Sequence, residues 1–225
     1  MIAALRAVAL IAGKDLRIEL RSRVVFNHVL PFAVLVLILF GFALDADSDA
    51  LSSFAPGLFW VAVLLTALLA IGRSFALERA DGALDSFRLA NISPVAIFAG
   101  KALAVFVQLL VLEVVLGIGI VVFYGASLEK PGLLVVAGVL AAAGIASAGT
   151  LYGVVASQLA VRETILPLLL LPVLAPVLIG ATRAFGDAFG TVAVNGWSWL
   201  GLLGAFALVY TTFGALVFGP LLEEG

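Results

Sequence analysis

The chain has 225 residues, of which 64% are hydrophobic and 12% charged, with a net charge of −2; soluble domains carry roughly 25% charged residues, so this one is not soluble. The balance offers no basic face for nucleic acid. The absence of cysteine excludes disulfides, thiolate metal sites, covalent haem attachment and cysteine nucleophiles, and the single histidine, His28, excludes an intrachain histidine metal cluster.

Residues 1–23 carry an apolar stripe of Leu5, Val8, Ala12, Leu16 and Leu20, with Arg6, Lys14, Arg17 and Arg21 mostly away from it. This predicts an amphipathic helix in the membrane interface, its basic groups toward lipid headgroups. Arg6 interrupts the apolar run and no small-residue cleavage site follows, so the segment does not read as a signal peptide.

Six apolar runs then match the roughly 20 residues that cross a bilayer: 24–44, 57–77, 102–124, 132–157, 164–182 and 198–220. The fold class is therefore an all-α integral membrane protein of six spans in one transmembrane domain. His28 lies about one turn into the first span and is a candidate haem ligand. Arg73 lies one turn from the end of the second, placed to snorkel and to pair with Glu78 or Asp81.

Between the second and third spans lies ERADGALDSFRLANISPVAIFAGK, residues 78–101, the longest charged interval. Glu78, Arg79, Asp81, Asp85, Arg88 and Lys101 are too costly for hydrocarbon, so the interval stands in water or at the bilayer surface. Leu84, Phe87, Leu89 and Ile92 recur at helical spacing and predict a short amphipathic helix, punctuated by Gly82 and by Asn91, Ser93 and Pro94. An ordinary solvated loop explains the same charges.

The third span carries Glu113, about 18 Å deeper than Lys101 along a helix. A carboxyl at that depth faces protein or water, either as a proton or substrate contact or as a hydrogen-bonded group at a helix contact. Gln108, on another face, is expected to bond between helices. The fourth span presents Gly138, Ala142, Ala146, Gly149 and Gly153 as a close-packing face. Pro167, Pro172 and Pro176 in the fifth predict a bent helix and a candidate hinge. The link at 183–197 reads either as re-entrant half-helices or as an interfacial loop anchored by Trp197 and Trp199.

With the N-terminus in the cytoplasm, only Lys130 and Arg183 fall outside. The other cations lie before the first span, around 78–101 or between the fourth and fifth spans, so both termini are expected inside. Gly13-Lys14 and Gly100-Lys101 lack the upstream glycine of a Walker A loop, so ATP is not expected to bind here by that route.

The pattern E-R-x-D-G-A-L-D-S-F, then Pro94 and Gly100-Lys101, resembles the first cytoplasmic loop of type-2 ABC exporter permeases. More narrowly, KDLRIELRSR (14–23), PGLFWVAVLLTALLAIGRSF (56–75) and LPVLAPVLIGATRA (171–184) resemble the haem exporter B family, the permease subunit of the cytochrome c maturation system. The resemblance implies a non-enzymatic membrane subunit that forms a dimer and binds two copies of a separate ABC ATPase, which holds ATP and magnesium. It implies a coupling helix carrying Glu78, Arg79, Asp81, Gly82, Leu84, Asp85 and Phe87. It also implies a haem-handling membrane subunit, a small single-span subunit and a haem chaperone as partners, in a bacterial inner membrane. ATP hydrolysis would then drive haem delivery or release of the loaded chaperone, with no cofactor bound by this chain. Two alternatives are a type-2 permease for a lipid, glycan or drug, and a self-contained proton-coupled transporter centred on Glu113.

Overall fold

The computed structural model of the protein describes residues 2–22, 30–43, 48–80, 92–157 and 162–223. These form seven α-helices and, among the described residues, no strand: α1 (Ile2–Ser22), α2 (Leu30–Ala43), α3 (Ser48–Ala80), α4 (Pro94–Tyr124), α5 (Pro131–Ser157), α6 (Arg162–Ala188) and α7 (Trp197–Glu223). The all-α membrane fold is as expected. Five stretches are long and apolar enough to cross a bilayer, namely Leu51–Phe75, Pro94–Tyr124, Pro131–Ser157, Thr164–Ala188 and Trp197–Leu221. The first expected span is represented by α2, with 14 described residues. At 1.5 Å per residue these reach about 21 Å of a hydrocarbon core about 30 Å thick.

Several helices outrun the expected spans. α3 continues to Ala80, which puts Arg73 two turns from its end rather than one. α4 begins at Pro94, so residues 94–101, expected in the polar interval, are its first two turns. Ser93 explains the start: its backbone is extended, its hydroxyl accepts from the Ala96 N–H at 3.3 Å, and Pro94 fills the first helical position, where a missing N–H costs nothing. Gly125, at φ +63°, closes the helix in the left-handed conformation. α6 runs unbroken through Pro167, Pro172 and Pro176 as far as Ala188. The link expected at 183–197 is therefore confined to 189–196, with no helix in it.

α5 is the hub, packing against α3, α4, α6 and α7. Its expected small-residue face is buried throughout. A Cβ at Gly149 would collide with Ile71 of α3, and one at Gly153 with Phe75. Such close backbone approach substitutes for the hydrophobic force that lipid-dissolved helices lack. Gly144, absent from the expected face, serves α7 in the same way, since its Cβ would lie 2.9 Å from Phe206. A Ser147–Thr211 hydroxyl contact of 2.8 Å also ties α5 to α7.

α1 packs against α4. The expected stripe is only partly right: Val8, Ala12 and Leu16 turn inward, joined by Ile11, but Leu5 and Leu20 are more than 60% exposed. The reason is geometric. α1 approaches α4 most closely at Gly100, where a Cβ would meet Ile11 Cβ at 2.7 Å, while Leu5 and Leu20 near the two ends of the stripe remain exposed. Arg6, Arg17 and Arg21 stay exposed.

Candidate functional site

At the end of the bundle that carries α1, the helix crossing buries a cation. Lys101 is 1% exposed; its Nζ lies 3.6 Å from Asp15 Oδ2 of α1 and 4.6 Å from the centre of the Phe75 ring of α3. This corrects the expectation that Lys101 stands in water. The N-terminal turns of α4 are roofed by α1, and a carboxylate with an aromatic face replaces the lost solvent. Asp15 also meets Lys14 at 2.9 Å. Neither Asp15 nor this role for Lys101 was evident from the sequence, because 86 positions separate them.

Arg73 is half-buried and lines a cavity of about 370 Å³ with Leu68, Gly72, Gly153, Ser157 and Pro167; its Nε has no hydrogen-bond partner among the described residues. Its expected partners are Glu78 and Asp81. Glu78 and Arg79 fall in the last turns of α3, without described side chains, and Asp81, Gly82, Leu84, Asp85 and Phe87 lie outside the described residues, as does His28.

Halfway along α4, Glu113 is 9% exposed and its Oε1 has no hydrogen-bond partner. The carboxyl rests against α5 at Gly138, where a Cβ would lie 2.8 Å from Oε2. It lines an apolar cavity of about 510 Å³ between α4 and α5, walled on the inside by Phe59 and Phe185. Gln108, expected to bond between helices, is half-buried, and its side chain makes no hydrogen bond among the described residues. Polar contacts between helices fall elsewhere, at Ser147–Thr211 and at Tyr124, whose hydroxyl donates to the Leu37 carbonyl of α2 at 2.6 Å.

The opposite end is fastened. Lys130 Nζ meets Asp187 Oδ1 at 2.6 Å, and Asp187 Oδ2 accepts from the Gly196 N–H at 2.9 Å. The N–H groups of Glu129 and Lys130 both donate to the Ala188 carbonyl at 3.0 Å, and the Ser127 hydroxyl donates to Phe189 O. Gly196 admits this closure, because a Cβ there would come within 2.9 Å of Asp187 Oδ2. Beneath it, Phe59, Trp60, Phe185 and Phe189 stack at centroid distances of 4.9–5.8 Å. The sequence reading missed this cluster; the adjacent Phe59 and Trp60 in an apolar run were its one signal.

Long apolar helices packed through small residues, with one end bearing a basic amphipathic helix and a buried carboxyl within the bundle, define a polytopic α-helical membrane protein. The chain belongs to the CcmB protein family, whose model matches residues 6–223. It is 32% identical over 207 residues to heme exporter protein B of Paracoccus denitrificans, covering 90% of this chain and 93% of that one. It is 28% identical over 206 residues to heme exporter protein B of Pseudomonas aeruginosa, covering 91% and 92%. Against the Escherichia coli K12 protein of the same name, 32% identity extends over 90 residues, 40% of this chain and 41% of that one.

Proposed function

We propose that this chain is the membrane-spanning permease subunit of an ABC transporter complex serving cytochrome c biogenesis, with both termini in the cytoplasm. The carrying observation is the family match across residues 6–223. The relatives' name, heme exporter protein B, points to haem as the material the complex handles. Of the axial ligands haem iron takes, His, Cys, Met and Tyr, the chain has one histidine, no cysteine, one methionine and three tyrosines, a sparse set for a resident haem. Haem is therefore cargo of the complex, held by partner subunits.

Power comes from a separate ATPase, because the chain has no phosphate-binding loop. The interval from the last turn of α3 to the start of α4 is the coupling element. Leu84 and Phe87 enter a pocket on the ATPase, while Glu78, Asp81 and Asp85 meet basic groups at its rim, an arrangement in which buried anchors hold and rim charges steer. Arg79 and Gly82 belong to the same element. α3 and α4 flank it, and both pack on α5, so a push on the segment reaches the hub. Pro167, Pro172 and Pro176 leave α6 short of backbone hydrogen bonds and suit it to bend during the cycle. The complex holds two copies of this chain and two of the ATPase, with a haem-handling membrane subunit, a small single-span subunit and a haem chaperone. Purification from the native membrane in mild detergent tests this. An ATPase subunit and a haem-handling membrane protein should copurify, and recovery of an ATPase with lipid- or glycan-handling proteins in their place would reassign the cargo.

A further inference from the structure

The slot beside Glu113 has features the coupling reading does not use. Apart from Glu113, its lining side chains are all apolar, among them Leu110, Ile118, Val122, Val135 and Phe189. Val114, Ile118, Val122 and Val135 are exposed on the outer surface of α4 and α5, the surface that meets lipid in a bilayer. From Leu110 to Val122 the slot follows α4 for about 18 Å. Its apolar walls, open along that length to the lipid-facing surface, suit a hydrocarbon chain.

One polar group stands in this slot. Glu113 Oε1 is buried and lacks a donor, and no ion pair reaches it among the described residues. An acceptor so placed costs free energy until a donor arrives, and a charged donor compensates most. We propose that the α4–α5 slot is a binding site for a lipophilic amine, which enters from the bilayer, lays its apolar chain between the helices and hydrogen-bonds to Glu113. The site stands independently of ATPase coupling.

Dicyclohexylcarbodiimide, a lipid-soluble reagent for carboxylic acids, tests it on the purified chain in phosphatidylcholine nanodiscs. The acid proton passes to a carbodiimide nitrogen, the carboxyl oxygen adds to the central carbon, and acyl transfer to nitrogen leaves a stable acylurea. Nothing departs, so the adduct weighs one whole reagent. Mass spectrometry should place one adduct on Glu113 and none on the Glu113→Gln chain. N,N-Dimethyldodecylamine, a tertiary amine that cannot be acylated to an amide, at about ten times its Kd should slow labelling about tenfold, because about a tenth of the sites remain empty. Dodecane should not slow it. Gly117→Leu supplies a second variant: Gly117 lines the slot and a Cβ there meets nothing within 4 Å, so leucine fits the fold but fills the space and should suppress labelling. Failure to label Glu113 in the folded chain overturns the proposal, as does equal labelling with amine and alkane or unchanged labelling of Gly117→Leu. Labelling that ignores the amine and vanishes in the assembled complex assigns the slot to a partner subunit and overturns it too.

Discussion

Lys101 and Asp187 show two ways in which this apolar chain accommodates charge. Lys101 is sealed beneath α1 and faces Asp15 and Phe75. Asp187 instead divides its oxygens between Lys130 and a backbone N–H. Lys130 is 46% exposed, so its ion pair contributes little, and Asp187→Asn should cost less than about 1 kcal/mol. Asp187→Ala strands the Gly196 N–H as well and should cost about 1–3 kcal/mol. Thermal unfolding in detergent would rank the two, and equal losses would show that the Gly196 bond carries nothing. Gly153 sets the approach of α5 to α3, and Gly153→Leu should destabilise by about 1–3 kcal/mol through overpacking against Phe75. Gly201→Leu, where a Cβ meets nothing within 4 Å, should leave the melting temperature unchanged.

The helices were legible in proportion to how far hydropathy alone decides them. Apolar runs located α3 to α7, and the small residues of α5 identified its packing face. Helix ends were less legible, because they follow local capping and not hydropathy: Ser93-Pro94 starts α4 inside what composition marked as a polar interval. The stripe on α1 was read as one face toward lipid, but docking on α4 selects Val8, Ile11 and Ala12, and nothing local in the sequence announces that partner. A polar side chain such as Gln108 bonds between helices only where a neighbouring helix offers a partner. The docking of α1 is directly testable, because the chain has no cysteine and an introduced one is unique. Ala12→Cys, a buried position, should resist a maleimide in the native fold. Adding Gly100→Leu, which removes the room for Ile11, should expose it; equal resistance in both would mean that α1 does not depend on that contact.

At the scale of the whole molecule the lysines and arginines decide orientation, and unique cysteines test it. Asn195→Cys in the 189–196 link should react with an impermeant maleimide added to intact spheroplasts, and Ser86→Cys only after permeabilisation. The reverse pattern would invert the protein. The purified chain should show no stoichiometric haem absorbance, and His28→Ala should leave cytochrome c assembly largely intact; strong loss at normal protein level would make His28 a ligand. The central claim, that ATP-driven force enters through residues 78–101, is tested most directly by the ATPase rate and subunit retention of the assembled complex carrying Leu84→Ala, Phe87→Ala or Asp81→Lys. Each alanine should weaken ATPase binding by about 1–3 kcal/mol, the expected cost of losing a buried apolar anchor, and Asp81→Lys should add repulsion at the rim. Protein level and membrane insertion should not change. Full ATPase retention and full activity in all three variants would contradict the account.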